Sequence, residues 1–187
     1  MSNVFAALLH YPVYNRSGEV VTAAVANADI HDLCRLSRTY GIGRFYIVTP
    51  LEKQRELAGR IIRHWLSGFG SIYNPSRREA FSTAQIKGDL QEVLSDIRAI
   101  RPAETRVVAT GAGLSENICC SFAELRRAIA KRDDNFLILF GTGWGMERSL
   151  ISAADFRLEP VCGASGYNHL SVRSAAAIIL DRLIGPF

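Results

Sequence analysis

Hydrophobic and polar positions along this chain fall into two alternating periods. Short runs that are wholly or mostly apolar occur at Val4 to Leu9, Arg44 to Val48, Arg106 to Ala109 and Phe136 to Phe140, each closed by polar or turn-forming residues. Runs this short and this apolar predict strands, with Val4 to Leu9 and Phe136 to Phe140 expected to be buried on both faces. Between them, apolar residues recur at three- and four-residue spacing. The sets are Ile30, Leu33, Cys34 and Ser37; Leu57, Ala58, Ile61, Ile62, Trp65 and Leu66; Leu90, Val93, Leu94 and Ile97; and Val172, Ala175, Ala176, Ile179, Leu180 and Leu183. That spacing predicts helices that bury one face. Punctuation residues set the expected boundaries. Asn27 or Asp29 caps the first helix and Gly41 stops it, while Thr49-Pro50-Leu51-Glu52 and Ser121 with Glu124 read as capping boxes. Asn15 to Gly18 is a turn, after which Val20 to Val25 resumes an extended pattern.

Strands alternating with helices predict an α/β fold with a mainly parallel sheet and helices on both faces. In such sheets ligands gather beyond the carboxyl ends of the strands. Three stretches of small residues leave predicted strands: Thr110 to Gly113, Gly141 to Gly145, and Pro160 to Ser171. In the last, Cys162 to Gly166 has little side-chain bulk, so its backbone amides can approach a ligand closely. The plainer alternative is a set of strand-to-helix turns whose glycines only shape the backbone. The least regular stretch runs from Gly68 to Gly88, where Tyr73-Asn74-Pro75 precedes Arg77 and Arg78. It reads either as an RNA-contacting insertion or as an exposed loop with a short amphipathic helix.

Composition adds limits. A chain of 187 residues that is 48% hydrophobic can bury a full core, so one domain over residues 1–187 is expected. Its formal charge of +4 permits a nucleic-acid partner without demanding one. Cys34, Cys119, Cys120 and Cys162 lack metal-ligand spacing, which predicts reduced thiols, no metal and a cytoplasmic protein. The opening MSNVFAALLHYP has no basic segment before its apolar run, and that run is too short to span a bilayer, so neither leader nor membrane anchor is expected.

Familiar phosphate and nucleophile motifs fail position by position. Met146 and Glu147 stand where a P-loop needs glycine and lysine, and Glu116 stands where a dinucleotide fingerprint needs its third glycine. Gly163 to Tyr167 ends in tyrosine where a nucleophile elbow needs glycine, and no base is paired with Cys162 in the sequence. Arg35 and Arg38 are candidates for function on the first helix, against the alternative of a solvated face with favourable charge at its C-terminus. Asp32 and Glu159 are candidate proton acceptors, against a structural hydrogen-bonding role.

Taken in order, Asn27 to Gly41, Leu139 to Gly145 and Tyr167-Asn168-His169-Leu170-Ser171-Val172-Arg173-Ser174-Ala175 resemble the SPOUT superfamily of S-adenosylmethionine-dependent RNA methyltransferases. The resemblance spans nearly the whole chain. In particular it is similar to a small bacterial group in which HYPVYN, here His10 to Asn15, precedes NADIHD, here Asn27 to Asp32, a domain that can also occur joined to a tRNA guanine methyltransferase. The resemblance implies a trefoil knot in the C-terminal half, a homodimer, and a tRNA or rRNA substrate. It implies that S-adenosylmethionine is held, mainly by backbone groups, at Thr110, Gly111, Gly141, Thr142, Gly143, Trp144, Pro160, Val161, Tyr167, Asn168, Leu170 and Ser171. Arg35 and Arg38 both match a motif arginine near methyl transfer, and Asn168 stands in the third motif. That motif commonly reads Ser/Asn-Leu-Asn, from which Tyr167 to Ser171 departs. Asn27, Arg35, Arg77 and Arg78 are the expected RNA contacts. A second function class is a catalytically weak knotted RNA-binding or assembly domain that assists a partner methyltransferase.

Overall fold

The computed structural model describes residues 2–114, 119–165 and 167–186. Six strands form one parallel sheet: β1 (Val4–Leu9), β4 (Phe45–Val48), β5 (Ala84–Lys87), β6 (Thr105–Ala109), β7 (Asn135–Gly141) and β8 (Phe156–Arg157). Their spatial order is β5-β4-β1-β7-β6-β8, and a small antiparallel hairpin pairs β2 (Val13–Tyr14) with β3 (Val20–Val21).

Strand β1 is central, which explains why every one of its residues is buried. Its alternate residues serve two separate cores, as the period of two in a strand requires. Val4, Ala6 and Leu8 face a cluster with Ile30 and Leu33 of α1 (Asn27–Thr39), Leu125 of α6 (Phe122–Lys131) and Leu180 of α8 (Val172–Ile184). Phe5, Ala7 and Leu9 face a second cluster with Val93 and Ile97 of α5 (Leu90–Ile100), and Ile151 of α7 (Arg148–Ala153) packs against it. Helices therefore cover both faces of the sheet. Between α1 and β5 the chain also forms α2 (Glu52–Leu66), α3 (Phe69–Tyr73) and α4 (Pro75–Phe81). Among the described residues, no helix is long and apolar enough to cross a membrane.

Several local expectations hold and others are corrected. Ile30, Leu33, Cys34 and Ser37 are the buried stripe of α1, Gly41 follows the helix with φ +66°, and Ser121 with Glu124 forms the capping box of α6. Neither Asn27 nor Asp29 caps α1. The carbonyl of Ala26 already accepts from Asp29 N and Ile30 N, so the helix begins at Asn27 itself. Nor does Thr49 cap α2: its N–H donates to Lys87 O as part of the sheet, and the helix starts from the Leu51 carbonyl. Sheet pairing has captured the residue that the capping pattern assigned to the helix. The extended pattern from Val20 to Val25 pairs only over Val20–Val21. The stretch from Gly68 to Gly88 contains α3, α4 and the edge strand β5, whose Ala84 and Ile86 reach the first core. Four residues were too short to show a strand period there.

Candidate functional site

Chain order reverses in space on either side of β1: β4 and β5 extend the sheet one way, and β7, β6 and β8 the other. A crevice at the carboxyl ends of the strands is expected at such a point. All three small-residue stretches leave that edge, from the neighbouring strands β6, β7 and β8, and are thus brought together by parallel pairing.

The loop after β7 is fixed by the segment before it. Thr142 donates to Leu9 O from both its N–H (3.1 Å) and its hydroxyl (2.9 Å). Trp144 N donates to Tyr14 O at 2.9 Å, Glu147 N to Pro12 O at 3.1 Å, and the Tyr14 hydroxyl reaches Glu147 Oε1 at 3.4 Å. The HYPVYN stretch, which includes a cis Tyr11-Pro12 bond, is therefore the wall of this loop. Gly143 sits at φ +59°, and a Cβ there would lie 2.8 Å from the Tyr14 carbonyl, so both backbone shape and space require glycine. Trp144 is 65% exposed at the loop tip.

The other two loops are tied to each other. Thr110 is buried and its hydroxyl donates to Leu139 O at 2.8 Å, which fixes the start of the loop after β6. Asn168 donates from its side-chain amide to Ala112 O at 3.1 Å, joining the stretch after β8 to the loop after β6. Pro160 and Val161 are half-buried, Tyr167 and Leu170 are exposed, and the Ser171 hydroxyl caps α8 by accepting from Ser174 N. Among the described residues, a Cβ on Gly113, Gly145 or Gly163 would meet nothing within 4 Å, so backbone faces open space on all three loops. Glu116 and Gly166 lie outside the described residues.

Helix α1 meets this edge at its N-terminus. Arg173, in the first turn of α8, pairs with Asp29 (3.4 Å) and Asp32 (3.5 Å) of α1. Burial raises the Asp29 carboxyl above its ordinary value, while Arg173 opposes that rise. Asp32 is thus engaged structurally, and so is Glu159, whose carboxylate accepts from Phe122 N at 2.6 Å. Asn27, the first residue of α1, is exposed. The two candidate arginines differ. Arg38 is paired with Glu79 of α4, its Nε donating at 2.8 Å, whereas Arg35 is exposed.

Arg35 belongs instead to a basic and aromatic cluster. Together with Arg77 and His64 it disfavours the charged form of His31, whose pKa is lowered first by burial. His31 Nε2 accepts from Trp65 Nε1 at 3.2 Å, and the Arg77 guanidinium lies 4.7 Å from the Trp65 ring. Arg78, one residue on, is exposed.

Sequence reasoning missed two structural participants, Tyr14 and Arg173, although both stood in stretches singled out as motifs. It also missed His10, which is fully buried at the end of β1. Among the described residues, neither of its ring nitrogens has a hydrogen-bond partner, nor has the Thr49 hydroxyl, and burial lowers the His10 pKa to about 4. The Val48 and Leu8 backbone opposes that shift without supplying a well-formed bond to the ring. Among the described residues, no group of three or more His, Cys, Asp or Glu side chains is placed to hold a metal ion.

Comparison with known proteins adds the following. A family model described as SAM-dependent RNA methyltransferase matches residues 3–185. An uncharacterized protein of Aquifex aeolicus is 42% identical over 181 residues, covering 97% of this chain and 88% of that protein. A tRNA (guanine-N(1)-)-methyltransferase of Oleidesulfovibrio alaskensis is 40% identical over 184 residues, and the match spans 98% of this chain but only 42% of that longer protein. Among solved structures, the SpoU methyltransferase AviRb of Streptomyces viridochromogenes, in complex with the cofactor AdoMet, superimposes with a TM-score of 0.56 at 15% identity. That match covers 97% of this chain and 58% of AviRb, and it speaks for the fold.

Proposed function

Since the chain belongs to the family of S-adenosylmethionine-dependent RNA methyltransferases, we propose that its substrate is a tRNA and that transfer takes place between the loops after β6, β7 and β8. The observation that carries this reading is their convergence at one sheet edge, with Asn168 tying two of them together and glycine backbone on all three facing open space. The tRNA assignment is supported by the identity to the Oleidesulfovibrio protein.

S-adenosylmethionine, when bound, supplies a methyl group activated by its sulfonium. The residues here fit it through backbone more than side chains. The hydroxyls of Thr110 and Thr142 are already spent on Leu139 O and Leu9 O, so these residues hold their loops and offer only main chain. Gly111, Gly141, Gly143 and Trp144 present one side of the cradle, and Pro160, Val161, Tyr167, Leu170 and Ser171 the other. Asn168 positions the two loops and stands closest to a catalytic role among them. Arg35, with no acidic partner among the described residues, orients an RNA phosphate or steadies charge during transfer, with Asn27, Arg77 and Arg78 as further RNA contacts. Arg38, held by Glu79, is the weaker candidate for that role.

The same reading takes residues 1–187 as one cytoplasmic domain, with a knotted C-terminal half and a homodimer that brings Arg35 of one protomer toward the cofactor loops of its partner. It is supported by the motif resemblance. The test is methyl transfer from labelled S-adenosylmethionine to purified tRNA and, separately, to rRNA, followed by mapping of the labelled nucleotide. Label in tRNA is the expected result. Cofactor binding with no transfer to either RNA would leave the assembly-domain reading in its place.

A further inference from the structure

The basic charge of this chain is not spread evenly. From Leu57 to Arg78 there are four arginines (Arg60, Arg63, Arg77, Arg78) and no acidic residue, while the remaining Lys and Arg equal the Asp and Glu at 18 each. This one segment therefore carries the whole formal charge of +4. The acidic residues that flank it are already engaged, Glu56 with Lys53 and Glu79 with Arg38.

Within the segment, α3 displays its apolar side chains outward. Phe69, Ile72 and Tyr73 are 72%, 81% and 75% exposed. The cause is at its back. Gly70 is buried against α2, where a Cβ would lie 2.7 Å from the Trp65 ring and 2.8 Å from His64 Nε2. The helix lies flat on those two residues, and positions 69, 72 and 73 are left on its open side. The Phe69 and Tyr73 rings stand near parallel, at 22° and 6.0 Å between centroids. Arg77 on its Trp65 ring and Arg35 on α1 link this face to the helix whose N-terminus meets the cofactor loops.

We propose that Phe69 and Tyr73 are a stacking platform for unpaired bases of the RNA substrate, with Arg77 and Arg35 tracking the phosphates between that platform and the transfer site. This rests on the RNA methyltransferase reading and deepens it. Parallel exposed rings beside a cationic strip are what sequence-tolerant binding of single strands needs, because every base offers a π face and every linkage a phosphate. Paired bases in an A-form helix hide those faces. The platform therefore selects a loop or unpaired junction over a helical stem. The absence of any acidic side chain from Leu57 to Arg78 favours a polyanion over a protein partner here.

The experiment compares the full chain with Phe69→Leu/Tyr73→Leu, which keeps apolar surface but removes both rings, and with Arg77→Ala. Fluorescence anisotropy reads affinity for an unstructured oligouridine and for an RNA duplex of equal length, over a range of salt. Expected for the double variant is loss of about tenfold or more in oligouridine affinity, little change for the duplex, and an unchanged salt slope. Arg77→Ala should lower the slope by about one unit. Oligouridine affinity equal to wild type in the double variant overturns the proposal. So does loss of wild-type self-association on sedimentation with RNA affinity intact, which makes the face a contact between copies. Cofactor binding and tRNA methylation measured in parallel keep the two readings apart. Methylation with an indifferent platform refutes only the platform, whereas platform-dependent RNA binding without methylation refutes only the assigned reaction.

Discussion

Asn168 and Ala112 lie 56 residues apart in sequence, yet the Asn168 amide donates to the Ala112 carbonyl at 3.1 Å and holds the loops after β6 and β8 in one register. A single neutral hydrogen bond of this kind contributes about 1 kcal/mol. Asn168→Ala should therefore weaken S-adenosylmethionine binding by about fivefold, read by calorimetry, with little change in melting temperature because the loops are not core. Unchanged cofactor affinity with lost turnover would instead give Asn168 a role in the transfer step itself.

Gly143 has no tolerance for a side chain. Its φ of +59° is strained for alanine, and a Cβ would press on the Tyr14 carbonyl. Gly143→Ala should cost about 1–3 kcal/mol locally and displace the Trp144 tip. Cofactor affinity should fall at least tenfold, whereas Gly113→Ala, where a Cβ meets nothing within 4 Å among the described residues, should fold normally and show a milder loss.

Replacing Arg35 by alanine should lower single-turnover methylation while sparing cofactor affinity. Arg38→Ala should leave both methylation and cofactor affinity unchanged. Its loss removes an exposed pair with Glu79, worth less than about 1 kcal/mol. Equal rate defects in both variants would mean that the helix face as a whole, and not Arg35, contacts RNA.

The Arg173 contact predicts a pH-dependent variant. Asp29 has a raised folded pKa, so it favours the folded state least where its carboxyl is charged, and Arg173 limits that cost. Arg173→Met should raise the Asp29 pKa further, measurable by NMR titration. The destabilisation should be about 1–2 kcal/mol at neutral pH and should shrink as pH falls through the carboxylate range.

His10 acts in the opposite window. Its folded pKa is lowered to about 4 from an ordinary 6.5, so the unfolded chain binds more protons between those values. Stability is complete above the unfolded value and is lost as pH falls toward the folded one, by about 3 kcal/mol for this group. Urea denaturation from pH 7 to pH 4 should show that decline, and His10→Leu should flatten it.

Much of this protein is determined by sequence alone. A buried strand with two covered faces must be continuously apolar, so β1 and β7 were legible, as were the periodic faces of α1, α5 and α8. Small residues after strands marked the three loops for the same local reason. What only the tertiary structure decided is anything set by a partner distant in the chain. Thr49 carries a capping pattern but is claimed by Lys87 in the next strand, and Asp29 leaves its expected cap for Arg173. Arg35 and Arg38 are alike in spacing and are separated only because Glu79 on α4 reaches one of them. The exposure of Phe69, Ile72 and Tyr73 likewise depends on Gly70 resting on Trp65, a contact between helices that no local pattern encodes. Local periodicity fixes which residues are buried, and the pairing of distant segments fixes which polar groups remain free to act.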